Sequence, residues 1–123
     1  VRLLLDSHVL LWWDRELSKL SSAQQDAISD PDNEVFVSAA TSWELSVKEA
    51  AGKLILHDSV PLLVERFGFI ELPITLKHGK AAAALPLLHK DPFDRMLVAQ
   101  AMLEGMVLLT VDERLGDYPV ATL

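Results

Sequence analysis

Cysteine is missing altogether. A chain without thiols forms no disulfides and offers no thiolate to a metal, which excludes disulfide-stapled folds and cysteine-built zinc sites. Long apolar runs are missing too. None approaches the roughly 20 residues that a membrane-crossing helix needs, so no membrane partner is expected. The opening Val1-Arg2-Leu3-Leu4-Leu5 has neither the basic lead nor the small-residue cleavage site of a secretory signal. With the absence of thiols, this sets the expectation of a cytoplasmic protein. Basic residues are scarce: 11 Lys and Arg stand against 18 Asp and Glu, a formal net charge of −7. That balance counts against a nucleic-acid partner, because such binders commonly carry a basic surface. It would have to be offset by local basic patches or by bound cations. Repeats, low-complexity tracts and Pro/Gly/Ser linkers are absent as well. What is present is apolar bulk: half of the 123 residues are hydrophobic, enough for one core, so a single domain over 1–123 is expected.

Short apolar runs alternate with amphipathic stretches. Residues 1–5 read as a buried strand ending at Asp6, and 7–13 as a short helix. Ser21 or Ser22 caps a helix that runs to Ala27 or Ile28. A loop at Pro31-Asp32-Asn33 precedes a second strand over 34–38. A helix over 39–51 stops at Gly52, a C-cap glycine. Asp58 or Ser59 caps a helix through Phe67 that tolerates Pro61 in its first turn. Residues 69–74 form a third strand, and Thr75 caps a helix to about Ala84. After a loop over 85–90 comes a helix over 91–104 that ends at Gly105. A very apolar fourth strand over 106–110 follows, then a helical turn at 113–115 and a last strand near Val120. The alternation predicts an α/β fold, three layers with helices on both faces of a mostly parallel, roughly five-stranded sheet. Ligands in such folds sit beyond the carboxyl ends of the strands.

Acidic residues gather at that edge. Asp6 follows strand one directly, and Asp112 follows strand four after Thr110-Val111. Glu44 lies in the first turns of the helix after strand two. Asp91 and Asp94 open the helix that leads into strand four. Each alone has a local explanation. Asp6 and Asp112 suit helix N-caps. Asp91-Pro92-Phe93-Asp94 reads as N-cap, N1 proline and N3 acid. Glu44 suits N3 of a Thr41 cap, or an i,i+4 pair with Lys48. Capping alone does not explain why charged carboxylates, rather than Ser or Thr, stand at four helix starts on one edge. Like charges brought together raise one another's pKa and cost free energy. A divalent cation with oxygen preference, Mg²⁺ or Mn²⁺, removes that cost and can stabilise charge that builds on a phosphate.

With these residues in view, the chain resembles the PIN-domain family, specifically its VapC-like ribonuclease toxins of type II toxin–antitoxin systems. The likeness is carried by Leu3-Leu4-Leu5-Asp6-Ser7-His8-Val9-Leu10-Leu11-Trp12, by Val37-Ser38 through Trp43-Glu44-Leu45, by the run from His89-Lys90-Asp91-Pro92-Phe93-Asp94-Arg95 to Ala101, and by Leu109-Thr110-Val111-Asp112. The segment over 89–101 is the most specific. The resemblance implies a three-layer α/β/α fold and a Mg²⁺- or Mn²⁺-dependent endoribonuclease acting on RNA. It also implies a homodimer and a cognate antitoxin protein. On the family pattern Asp6, Glu44, Asp94 and Asp112 are the metal-binding acidic quartet, with Asp91 an additional acid of the Asp-Pro-x-Asp subgroup.

Other residues near these segments are candidates for substrate contact: His8, His89, Lys90, Arg95 and Thr110. Phosphate oxygens attract Lys and Arg, although Arg95 could equally be held by a neighbouring carboxylate. Ser7 and Thr110 are hydroxyls placed to steady a carboxylate or a water. Trp12 and Trp13 are adjacent, so either one faces the core and the other faces out, where a partner helix would find it along with Leu17, or both are half-buried core residues. Two readings from other classes stand beside the nuclease. One is a receiver-like phospho-accepting module, which would need a lysine near the last strand, where the chain has Tyr118-Pro119-Val120-Ala121-Thr122-Leu123. The other is a non-catalytic interaction domain whose acids are only caps. Within the nuclease class, DNA flap cleavage and ribosomal-RNA maturation stay open.

Overall fold

Strands that are apolar on both faces must be covered on both, and the central strands of this chain meet that requirement by lying in a sheet packed between helices, with the edge run over 70–72, interrupted by Glu71, less buried. In the computed structural model, which describes residues 1–123, the strands are β1 (Arg2–Leu5), β2 (Glu34–Ser38), β3 (Ile70–Leu72) and β4 (Val107–Leu109). The order in the sheet is β3-β2-β1-β4, and every pairing is parallel. Between the strands lie α1 (Ser7–Arg15), α2 (Ser22–Ser29), α3 (Ala39–Ala50), α4 (Val60–Phe67), α5 (Leu76–Ala84) and α6 (Pro92–Glu104).

The two-residue period of the strands splits the core. Leu3, Leu5, Val35, Val37 and Leu109 face Val9 and Leu10 of α1, Ile28 of α2, Leu45 of α3 and Leu63 of α4. Leu4, Phe36, Leu72 and Leu108 face the other way, onto Leu97, Val98 and Ala101 of α6. α5 covers α6 in turn. The three layers expected from the sequence are therefore present. No helix is long and apolar enough to cross a membrane.

The sheet has four strands, not five. The expected strand near Val120 is a single parallel bridge, Leu108 to Thr122. Pro119 has no N–H to give a ladder, and Tyr118 turns into the core. Pairing starts only at Ala121, whose carbonyl accepts from Leu108 at 2.9 Å. The helix over 39–51 begins one turn earlier relative to Glu44 than a Thr41 cap would place it. Ser38, the last residue of β2, caps α3 by accepting from the Ala40 N–H at 3.0 Å. With no linker between β2 and α3, the strand fixes where the helix points.

β1 has β2 on one side and β4 on the other, so the chain's crossovers part at the carboxyl end of β1. That parting makes a crevice, the usual ligand position in such sheets. Asp6 stands in it, its N–H donating to the Leu109 carbonyl at 3.0 Å.

A buried polar knot ties the two helices that flank this crevice. Gln100 of α6 is fully buried. Its Oε1 accepts from the Ser38 hydroxyl at 2.6 Å, and its Nε2 donates to the Pro73 carbonyl and to His78 Nδ1, both at 3.3 Å. Replacing Gln100 by Leu leaves several of these groups unpaired inside the core. Each such group costs about 1–3 kcal/mol. Gln100→Leu is expected to lower the stability by at least about 2 kcal/mol in a denaturant titration; a stability equal to wild type would mean that the knot adds nothing.

Candidate metal centre

Six acidic residues from four separate segments line one cleft of about 640 Å³ at the carboxyl ends of β1 and β4: Asp6, Glu44, Asp91, Asp94, Asp112 and the exposed Glu113. Asp6 is the residue after β1 and the N-cap of α1. Its Oδ1 accepts from the Val9 N–H at 2.8 Å, and its Oδ2 faces the Val111 N–H at 3.4 Å. It is 4% exposed. Burial pushes its pKa above the ordinary carboxylate value, against the pull of hydrogen bonds from Thr110, Val9 and Val111.

Glu44 is buried on α3. One oxygen accepts from the Ser7 hydroxyl and the other from Lys48 Nζ at 2.9 Å. The i,i+4 spacing on the helix makes that ion pair, and Glu44 holds the Lys48 ammonium above its usual pKa, with further help from Asp91 and Asp94.

Asp91 and Asp94 share the first turn of α6 but do different work. Asp91 is the cap, its Oδ1 accepting from the N–H groups of Phe93 at 2.8 Å and Asp94 at 3.3 Å. Asp94 makes no cap bond, and its Oδ2 meets His89 Nε2 at 2.8 Å. Burial raises its pKa, the His89 hydrogen bond lowers it, and the negative charges of Asp91 and Glu44 raise it further.

Asp112 lies across the cleft. Arg114 clamps it from two residues on, with Nε at 3.0 Å and Nη2 at 2.8 Å, and holds its carboxyl below the ordinary value. His89 Nε2 is 3.9 Å from the same carboxylate. One ligand atom from each of His89, Asp94 and Asp112 lies within 4.8 Å of the other two, a spacing that a single cation can bridge.

The sequence candidates thus divide. Asp6, Glu44, Asp91, Asp94 and Asp112 come together in the cleft, with His8 and His89 beside them. Lys90, Arg95 and Thr110 do not line it. Arg95 meets neither a carboxylate nor an open surface. Its guanidinium donates to the carbonyls of Ala82, Leu85, Pro86 and His89 and to the Tyr118 hydroxyl. The Leu85 and His89 carbonyls of the irregular segment after α5 need donors, and Arg95 supplies them while adding a second donor to the Ala82 and Pro86 carbonyls, which already accept from the Leu85 and Leu88 N–H groups. Thr110 steadies the cleft from outside it, accepting from the Asp112 N–H at 3.0 Å. Lys48 and Arg114 do line the cleft, although the sequence does not single them out as site residues. Lys48 is visible there only as a helix pair for Glu44, and a lone Arg two residues past Asp112 gives no signal of its own. Trp12 and Trp13 are both half-buried, so neither faces fully in or out. Trp13 packs edge-on against Phe67, and Lys19 lies over Trp12.

An all-parallel three-layer fold with an acidic cleft at its strand ends is a class with several members, and comparison narrows it. The PIN domain family model matches residues 3–121. The chain is 36% identical over 120 residues to Ribonuclease VapC22 of Mycobacterium tuberculosis, covering 94% of this chain and 90% of that protein. It belongs to the PIN-domain family. Among solved structures it is similar to VapBC2 from Rickettsia felis bound to a DNA fragment from its promoter, with a TM-score of 0.75, 13% identity, and coverage of 100% of this chain and 98% of that one. It is also similar to VapBC-1 from nontypeable Haemophilus influenzae, with a TM-score of 0.63, 15% identity, and coverage of 100% and 97%. At such identities the likeness speaks for the fold.

The raised carboxyl of Asp6 has a consequence for stability. An acid whose folded pKa lies above its unfolded value costs nothing below the unfolded pKa. Its destabilising effect grows as the pH rises through the folded pKa. Asp6→Asn keeps a cap acceptor for the Val9 N–H and removes the buried charge. Without metal, the variant is expected to melt above wild type at neutral pH, with the gap closing below the ordinary carboxylate range. Melting curves across that range in EDTA check it, and a gap independent of pH would remove the electrostatic cause.

Proposed function

We propose that the chain is a divalent-metal-dependent endoribonuclease, the toxin of a toxin–antitoxin pair. The observation that carries the reading is the convergence of Asp6, Glu44, Asp91, Asp94 and Asp112 in one cleft at the strand ends. The relative named as a ribonuclease and the fold shared with VapBC proteins support it. In this reading residues 1–123 act as one nuclease domain that works in the cytoplasm as a homodimer, and RNA is its substrate. A cognate antitoxin protein holds it in check, and its apolar helix seats near the half-exposed Leu17 beside Trp12 and Trp13.

The donor set fits Mg²⁺ or Mn²⁺. It is built of carboxylate oxygens with the imidazoles of His8 and His89 nearby, and it contains no sulfur. Two of its members, Asp6 and Asp94, are buried enough that their charges are raised in energy without a Lys or Arg partner. Asp6, Glu44, Asp94 and Asp112 would hold the ion, which when bound supplies positive charge to a phosphate and lowers the pKa of water. The protein's own groups set the stage for that. Ser7 and Lys48 fix the two oxygens of Glu44. His89 fixes one oxygen of Asp94. Asp91, tied to the backbone by Oδ1, keeps Oδ2 for the cleft. Arg114 lies on an exposed surface turn, so it can leave Asp112 at small cost and turn to an incoming phosphate.

Cleavage of RNA by the purified chain is expected to need added Mg²⁺ or Mn²⁺ and to stop on chelation; full activity in excess EDTA would end the metal reading. Asp6→Asn is expected to abolish nearly all cleavage with the fold intact.

Asp94 and Asp91 are separable. Asp94→Asn is expected to weaken metal binding at least about tenfold, the scale on which losing even a supporting partner acts, and to cost the larger share of cleavage. Asp91→Asn keeps the cap and loses activity only through charge, whereas Asp91→Ala also destabilises the start of α6 by roughly 1 kcal/mol. Calorimetric metal titration with single-turnover cleavage distinguishes them. Asp94→Asn at wild-type rate would reverse the assignment.

A further inference from the structure

Two aromatic side chains flank the carboxylates from outside. Trp43 precedes Glu44 on α3 and is 64% exposed. Phe93 precedes Asp94 on α6 and is partly buried. Their rings meet edge to face, with centroids 5.1 Å apart and planes at 74°. Whichever ring presents its edge, at least one face of the indole stays clear of Phe93. Core packing does not account for a tryptophan held this way, since most of its surface remains in water. The contact with Phe93 does restrict where it points.

The cleft itself offers an RNA strand little to hold. Its basic residues, Lys48 and Arg114, are both engaged by carboxylates, and Val111 is its one apolar residue. The net charge of −7 adds general repulsion. Two basic side chains, even when released from their carboxylates, hold a polyanion by its phosphates alone, so a second source of affinity directed at the bases has room to act. Aromatic faces provide it for single strands, because every base has a face to stack and an unpaired base exposes it.

We propose that Trp43, braced by Phe93, is a stacking platform for an unpaired base of the RNA strand that enters the cleft. This deepens the nuclease reading and rests on it for the identity of the strand. Trp43 then favours single-stranded RNA over duplex RNA, whose bases are stacked on one another, and sets the register of the strand against Glu44 and Asp94.

The test uses an Asp6→Asn background with Mg²⁺ and an end-labelled oligoadenylate followed by fluorescence anisotropy. Adding Trp43→Ala is expected to weaken binding about tenfold, and Trp43→Phe to restore most of it. The duplex with oligouridylate should be bound weakly by all three and be insensitive to the substitution. A series of strands, each with one abasic nucleotide, gives the decisive reading: at one position the missing base should weaken binding by the Trp43 protein and leave the Trp43→Ala protein unaffected. Equal affinity of the Trp43 and Trp43→Ala proteins overturns the proposal. So does a loss of affinity that no abasic position reproduces, or one that accompanies a fall in mass by light scattering, which would make the aromatic pair a contact between two copies of the chain. Wild-type cleavage is measured alongside. Its absence would count against the nuclease reading, while the abasic series would still decide on stacking.

Discussion

Several negative charges have to stand close together, partly out of water, without unfolding the edge of the sheet that holds them. Much of the local structure answers that demand. Asp91 and Asp6 commit one oxygen each to backbone N–H groups at helix starts, where the positive end of the helix favours a carboxylate. Glu44 is shared between a hydroxyl and an ammonium. Asp112 is gripped by a guanidinium and Asp94 by an imidazole. None of these contacts removes the charge of Asp6, which is the most buried of the five. The cleft is therefore left with a deficit of positive charge at its centre and internal cations at its margins.

Holding that arrangement requires α3 and α6 to be fixed relative to β1, because they carry Glu44 and Asp94. Ser38 does this from the sheet side. It caps α3 and donates to Gln100 of α6 in the same position. His89 depends on a different support. Its backbone N–H donates to the Tyr118 hydroxyl, which itself donates to the Pro86 carbonyl, and Arg95 donates to the carbonyls of Leu85, Pro86 and His89 in the loop over 85–90. These bonds make the loop stiff enough to aim an imidazole at Asp94. The same guanidinium that the sequence offers as a phosphate contact acts inside the scaffold instead.

What the sequence discloses and what it hides follow from the range of the forces involved. The strands and helix starts are legible because they depend on neighbours a few residues away: apolar runs, Ser and Asp caps, Gly105 with its φ of 65° after α6. The meeting of the five carboxylates is legible through topology, since parallel strands bring their carboxyl ends to one edge. Pairings that cross the fold are not. Nothing local says that Ser7 reaches Glu44, that Gln100 reaches Ser38, or that Arg95 is consumed by carbonyls. The last strand is over-read because Val120 supplies strand propensity while Pro119 and the buried Tyr118 remove the ladder. Trp43 stands out in the sequence only as part of a motif, since its exposure is a property of where α3 lies and not of its neighbours along the chain.

The acidic composition, which at first argues against a nucleic-acid partner, changes meaning once the charges are located. The side chains that pair with the carboxylates are unequally placed. Lys48 and Arg114 sit on the solvent side of their pairs, with side chains 42% and 71% exposed, and such pairs hold weakly. His89 is buried and supported from behind. In the proposed reading a divalent ion would be held at Glu44 and Asp112, whose basic partners are exposed, and at Asp6, which has no Lys or Arg in contact, with the His89–Asp94 contact left in place. The partners displaced most easily are the two basic side chains already in the cleft. Once released they face solvent beside the neutralised carboxylates, where a phosphate would lie. In the proposed reading, the same acids that repel a polyanion in the metal-free protein would, with metal bound, be the means by which Lys48 and Arg114 are freed to attract it.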